Sequence, residues 1–283
     1  MLKQQLRQLY KTVELKLPSA DRAPFFKNLM LHPSHPIAYT RVPKAGCSTI
    51  ISHLLGPQFS AKDGSKLLHA SNDLITFDDP NFFETLRKVP ENTNLFTVVR
   101  DPFSRLLSGF REKIERQLDG PRYRLELGID LDASIDFSSF VDRLADRDPL
   151  SLDVHFQPQK LITRADVLRY DQVFRLEDMS LALDWLDATL GEEPGQPAAV
   201  APHATNASAA VSSVYDDATT RKVAEYYAED FSLFGYAPEP GASQGETRVV
   251  TPGTMRLADF PMGAALTLDS RLRTFVPTLL NRH

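Results

Sequence analysis

Three short apolar runs, each followed by a segment of helical spacing, constrain this chain more than any other feature. Ile37-Ala-Tyr-Thr-Arg-Val leads into a helical pattern over 49–55, Leu74-Ile-Thr-Phe into one over 82–89, and Leu95-Phe-Thr-Val-Val into one over 103–117. Apolar runs of strand length that alternate with residues recurring every three or four positions form a βαβαβα rhythm. Strands that return parallel need crossover helices, so the expected class is α/β, with a central parallel sheet flanked by helices. Further helical spacing covers 137–144, 181–190 and about 217–231, where Val223, Tyr226, Tyr227 and Phe231 share one face. Val167-Leu-Arg-Tyr reads as a strand between them, and the Pro/Gly-rich stretches 191–197 and 238–245 read as loops. The segment 119–135 has no assignable period and reads as an irregular, lid-like surface stretch.

Charge then limits the partners. With 32 Lys+Arg against 37 Asp+Glu, the net charge is −5, so no global positive field exists and anion binding must come from local placement of basic side chains. No nucleic-acid partner is expected. The one cysteine, Cys47, leaves no intramolecular disulfide framework and no multi-cysteine zinc site. No apolar run reaches the ~18 residues of a membrane span, and Met1-Leu-Lys-Gln-Gln-Leu-Arg lacks a signal-peptide apolar region. The expectation is a cytoplasmic chain with no transmembrane segment. Its oligomeric state is not legible.

Two strand-to-helix junctions carry the chemistry. In Thr40-Arg-Val-Pro-Lys-Ala-Gly-Cys-Ser-Thr49, a strand ending near Val42 turns through Pro43 to Gly46 and opens a helix near Cys47. Such a turn gathers unpaired backbone N–H groups and a positive helix end, a setting for phosphate or sulfate. Lys44 adds a mobile charge, the Ser48 and Thr49 hydroxyls can donate, and Gly46 permits close approach. It is not the NTPase P-loop, because the Lys precedes the Gly and the leading Gly is absent. In Phe96-Thr-Val-Val-Arg-Asp-Pro-Phe-Ser-Arg-Leu-Leu-Ser108, Asp101 is an N-cap and Pro102 suits the first helical turn. Arg100 then ends the strand, while Arg105 and Ser108 share a helix face, so the three can converge on a second anion. Neither segment is decisive alone: a solvated Lys at an ordinary turn, or a helix face with salt bridges to Asp101 and Glu112, would use the same residue types. If the two strands are neighbours, however, both junctions open on the crevice outside the carboxyl ends of the sheet.

Together the two segments resemble the sulfotransferases that use 3′-phosphoadenosine 5′-phosphosulfate (PAPS). Val42-Pro-Lys-Ala-Gly-Cys-Ser looks like that family's 5′-phosphosulfate loop, and Arg100-Asp-Pro-Phe-Ser-Arg-Leu-Leu-Ser108 looks like its 3′-phosphate motif. His155-Phe-Gln-Pro-Gln, Tyr170-Asp-Gln-Val-Phe-Arg-Leu-Glu and Asp230-Phe-Ser-Leu-Phe-Gly-Tyr narrow the likeness to the carbohydrate branch. The resemblance implies a three-layer, P-loop-like fold, with residues 1–237 as one domain and 238–283 as an extension that packs on it or is partly flexible. It implies PAPS as co-substrate, PAP as product, no metal, and a hydroxylated, carbohydrate-type acceptor. Lys44, Ala45, Gly46, Cys47, Ser48 and Thr49 would hold the 5′-phosphosulfate, and Arg100 and Ser108 the 3′-phosphate. Arg105 lies in the same motif and would either touch ligand or support the helix.

Sulfuryl transfer moves SO₃ in line to a hydroxyl, with charge growing on the bridging oxygen, so positioning and electrostatics dominate. Lys44 is suited to that oxygen. The acceptor hydroxyl needs a base, and histidine titrates nearest neutrality. His69 is the first candidate, because Leu-His-Ala resembles the segment bearing the catalytic histidine in heparan sulfate 6-O-sulfotransferases. His155 is the rival. His203-Ala-Thr-Asn-Ala-Ser208 resembles a family loop that could reach cofactor or substrate, though Asn and Ser also simply form turns. The competing functions are a noncatalytic PAP/PAPS-binding module and a P-loop nucleotide-dependent kinase.

Overall fold

The computed structural model describes residues 22–56, 74–117, 122–129, 134–191, 207–242, 249 and 251–259. Five strands form one sheet: β1 (Leu29–Leu31), β2 (Ile37–Thr40), β3 (Ile75–Thr76), β4 (Asn94–Val99) and β5 (Gln172–Arg175), in the spatial order β3-β1-β2-β4-β5. β2, β4 and β5 run parallel, with Tyr39 opposite Phe96 and Thr97 opposite Val173. β1 pairs antiparallel with both β2 and β3, so the sheet is mixed and its parallel part is the half that carries the two informative junctions.

Alternation along β4 explains the layers. Phe96 and Val98 face one side with Ile37 and Tyr39, and pack on α2 (Cys47–Leu55) and α8 (Met179–Leu190) through Ile50, Ile51, Leu54, Ala182 and Leu186. Leu95 and Ala38 face the other side, toward α1 (Arg22–Asn28) and α3 (Phe82–Arg87). Val99 and Val173 continue that side into a cluster on α4 (Pro102–Gly109), α6 (Phe137–Ala145), α10 (Asp217–Tyr226) and α11 (Ala228–Phe234). Five of the six β4 residues are buried, as expected for a central parallel strand covered on both faces. The remaining α-helices among the described residues are α5 (Arg122–Glu126), α7 (Gln159–Thr163) and α9 (Ala207–Val214).

The departures from the sequence reading are local. Leu74-Ile-Thr-Phe yields a two-residue antiparallel edge strand rather than a parallel one, because β1 has already taken the place beside β2. The strand expected at 167–170 lies instead at Gln172–Arg175. Leu168 makes an isolated bridge to Met255, drawing 251–259 against the domain, with Met255 N donating to Val167 O at 3.1 Å. The helix expected over 217–231 breaks at Tyr227, whose hydroxyl donates to Phe156 O. The helix expected over 103–117 holds its course only to Gly109; Phe110–Glu115 is a wider π-helical segment. Among the described residues no helix is long and apolar enough to cross a membrane.

Candidate active site

β2 ends at Thr40, and the chain turns through Pro43–Gly46 into α2. Two of those residues, Lys44 (φ 71°) and Gly46 (φ 74°), are left-handed, which folds the turn tightly enough for Thr49 N and Ile50 N both to reach Gly46 O. Gly46 is required for a second reason: a Cβ there would meet Leu176 Cδ1 at 2.8 Å and, closer still, Met179 Cε. No side chain caps α2, so its positive end faces the turn.

β4, the parallel neighbour of β2, ends beside this turn. Asp101 caps α4 by accepting from Ser104 N at 2.8 Å, and Pro102 occupies the first turn. Arg100 is buried, and its Nη1 donates to Lys44 O at 3.0 Å, so a guanidinium from one junction grips the backbone of the other. Gln159 holds the Arg100 backbone from both ends, accepting from its N–H (2.9 Å) and donating to its carbonyl (2.8 Å). Asp230 in turn accepts from Gln159 N and Lys160 N. Burial opposes the Arg100 charge, while Glu177 and Asp101 favour it. Arg105 has a different office. Fully buried, it donates to Pro43 O (2.9 Å), Gln157 O (2.8 Å) and Val154 O (2.9 Å), and so ties the Lys44 turn to the segment around His155.

A third group completes the arrangement. The π-helical segment presents Glu112 and Lys113, and the Glu112 carboxylate accepts from Lys44 through Oε2 and from Lys113 through Oε1 (2.8 Å). Burial works to raise the Glu112 carboxyl, but the two ammonium groups outweigh it and hold it at about 2. Burial also lowers Lys44, with Glu112 opposing that shift. His155 Nδ1 lies 2.6 Å from Asp153 Oδ1, which orients the ring and directs Nε2 away from that carboxylate. Its pKa falls below the ordinary 6.5, chiefly through burial; Asp153 opposes the shift, and the nearby Lys113 and Lys44 add to it. Tyr123 packs edge-on against His155, with ring centroids 5.6 Å apart.

The two parallel strands thus bring the turn of Lys44, Ala45, Gly46, Cys47, Ser48 and Thr49 beside Arg100 and Arg105, at the carboxyl ends of neighbouring strands, while Ser108 lies buried further along α4. His155 joins them through the Arg105 bonds. His69, His203 and Asn206 lie outside the described residues. Sequence reasoning missed Lys113, Asp153, Gln159 and Asp230 as site-building residues, and it considered Glu112 only as a salt-bridge partner of helix arginines in the non-functional alternative. The available signals were indirect: Gln159 and Asp230 lie within segments that carry the family likeness, Asp153 precedes His155, and Glu112 and Lys113 follow the second motif.

Residues 27–237 match the pattern of the family described as "Sulfotransferase family". Carbohydrate sulfotransferase 14 of Mus musculus is 27% identical over 254 residues, covering 81% of this chain and 65% of the relative. The Homo sapiens protein of the same name gives the same identity and coverage. Carbohydrate sulfotransferase 9 of Homo sapiens is 29% identical over 166 residues, covering 51% of this chain and 37% of that relative. The chain therefore spans less than two-thirds of the length of these relatives. No solved structure matches. Because the family pattern runs over residues 27–237, through both strand-to-helix junctions and the aromatic core behind them, the chain belongs to the sulfotransferase family.

Proposed function

We propose that this protein transfers the sulfuryl group of PAPS to a hydroxyl of a carbohydrate or glycoconjugate. The observation that carries the reading is the Arg100 bond to Lys44 O, which sets two cationic strand-to-helix junctions side by side. A nucleotide with anionic groups at its 5′ and 3′ positions needs two such sites at a fixed spacing. The residues fit: an uncapped helix end and Lys44 at one junction, and Arg100 with Ser108 at the other. PAPS would supply an activated sulfuryl group on a good leaving phosphate. The chain's own part is to hold that group with the 43–49 turn, to place Lys44 where the leaving oxygen gains charge, and to remove the acceptor proton. His155 suits the last role, since burial favours its neutral imidazole and a carboxylate at Nδ1 favours the tautomer with Nε2 as acceptor. Support for a carbohydrate acceptor comes from the relatives' names.

The test is transfer of label from [³⁵S]PAPS to a panel of sugars and other alcohols by the full chain, with PAP binding measured by calorimetry. Transfer to a sugar hydroxyl is expected. Tight PAP binding without transfer to any acceptor would mark a noncatalytic binding module, and Mg²⁺-dependent ATP turnover without PAP binding would mark a kinase.

A further inference from the structure

Gln159 opens α7 and is completely buried, out of reach of any ligand in the crevice, yet its side-chain amide is committed to Arg100. The amide oxygen accepts from Arg100 N and the amide nitrogen donates to Arg100 O, the two kinds of bond that a neighbouring strand would make. β4 and β5 pair only as far as Val99 and Arg175, so Gln159 holds the first residue beyond that ladder. A primary amide offers an acceptor and a donor in one plane, which neither a carboxylate nor an apolar side chain of that length can do. Gln159 is fixed in its turn from α11. Pro158, at the N-cap of α7, makes no side-chain cap, and Asp230 supplies it from 71 and 70 positions along the chain, accepting from Gln159 N at 2.7 Å and from Lys160 N at 2.8 Å. Asp230 is completely buried as well. Asp230, Gln159, Arg100 and Lys44 thus stand in series, the last link being Arg100 Nη1 to Lys44 O. A buried carboxylate and amide cost more to desolvate than apolar groups of the same volume, and what they supply in return is a fixed geometry.

We propose that Gln159 and Asp230 are positioning residues of the nucleotide site: Asp230 fixes Gln159, and Gln159 fixes the Arg100 backbone so that the guanidinium meets the 3′-phosphate end of the nucleotide. The inference rests on the reading of the site as a PAPS site. It differs from simple support of the fold in where the cost of a substitution falls. A prop of the fold lowers stability and leaves the affinity of the folded protein alone. A positioning residue lowers affinity, and does so only while the Arg100 guanidinium is present to be misplaced.

The experiment is calorimetric titration of PAP into the full-length wild type and the Gln159→Met, Asp230→Asn, Arg100→Ala, Arg100→Ala/Gln159→Met and Arg100→Ala/Asp230→Asn variants, each with a thermal melt. Gln159→Met keeps the side-chain length and removes both bonds, and should weaken PAP about tenfold in the folded protein. Asp230→Asn leaves one acceptor for two N–H donors and should weaken PAP about threefold. Each double variant should bind PAP within about twofold of Arg100→Ala alone, while its melting temperature falls further. In transfer assays Gln159→Met should raise the KM for PAPS about tenfold with a much smaller change in kcat. Wild-type PAP affinity in folded Gln159→Met, or a loss that multiplies in full with that of Arg100→Ala, overturns the proposal. If Gln159→Met does not fold, Asp230→Asn and its double variant decide by the same rule. A wild type that binds neither PAPS nor PAP instead removes the functional reading beneath it.

Discussion

The Arg100 guanidinium reaches from the end of β4 to the main-chain carbonyl of Lys44, 3.0 Å from Nη1. A side chain of the second strand-to-helix junction therefore fixes the backbone of the first, and that tie sets the spacing between the two. Gln159 locks the Arg100 backbone from the opposite side, so neither end of that link is loose.

Replacing Arg100 should act mainly on nucleotide binding. Arg100→Ala is expected to weaken PAP by about 10- to 100-fold in calorimetry, because a charge-assisted contact and the tie to the Lys44 turn are lost together. Arg100→Lys should recover little, since one ammonium cannot serve a phosphate and the Lys44 carbonyl in the same geometry. Wild-type PAP affinity in Arg100→Ala would remove this residue from the site.

Lys44→Ala should cost turnover more than binding. In the proposed transfer its charge would matter most as the leaving oxygen becomes anionic, so a fall in kcat of about 10²- to 10³-fold is expected beside a smaller loss of PAP affinity. Glu112 retains Lys113 as partner in that variant, which limits damage to the fold. Equal losses in kcat and affinity would contradict a role at the leaving oxygen.

The pH profile should report His155. With His155 as the proposed base, neutral imidazole would be the active form, and burial holds its pKa below 6.5, so transfer should rise with pH through a midpoint below that value and then level off. Asp153 favours the charged ring, so Asp153→Asn should move the acidic limb to lower pH while reducing kcat through loss of orientation at Nδ1. A profile that ignores both His155→Ala and Asp153→Asn would assign the base elsewhere.

Arg105 predicts a stability effect. Its three buried bonds join the Pro43 carbonyl to those of Val154 and Gln157, and truncation leaves all three carbonyls without this donor. Arg105→Ala should lower the unfolding free energy by about 3–5 kcal/mol in urea. Arg105→Lys should remain well short of wild type, because an ammonium lacks the planar fork that spans three acceptors. Wild-type stability with lost PAP affinity would reverse the assignment and make Arg105 a ligand contact.

Gly46→Ala combines a left-handed φ of 74° with the Leu176 and Met179 side chains against the new methyl. A cost of about 1–3 kcal/mol is expected from the backbone, with more from the contact. The turn should open and PAP binding fall. The double variant Gly46→Ala/Met179→Ala should regain only the steric part, so a full rescue would show that backbone conformation contributes nothing.

Local pattern made the two junctions legible before any fold was known. Apolar spacing marked β2, β4 and their helices, Asp101-Pro102 marked the start of α4, and the identities of Lys44, Gly46, Arg100 and Ser108 marked anion chemistry, because each of these signals lies within a few consecutive residues. Strand order could not be read that way. Only the tertiary structure set β1 antiparallel beside β2, displaced 75–76 to the edge, and set Arg105 on three main-chain carbonyls. The same holds for Glu112, whose partner Lys44 lies 68 positions earlier in the chain. Contacts of that kind depend on which burial arrangement satisfies every charge at once, and that balance is struck across the whole molecule rather than along any one segment.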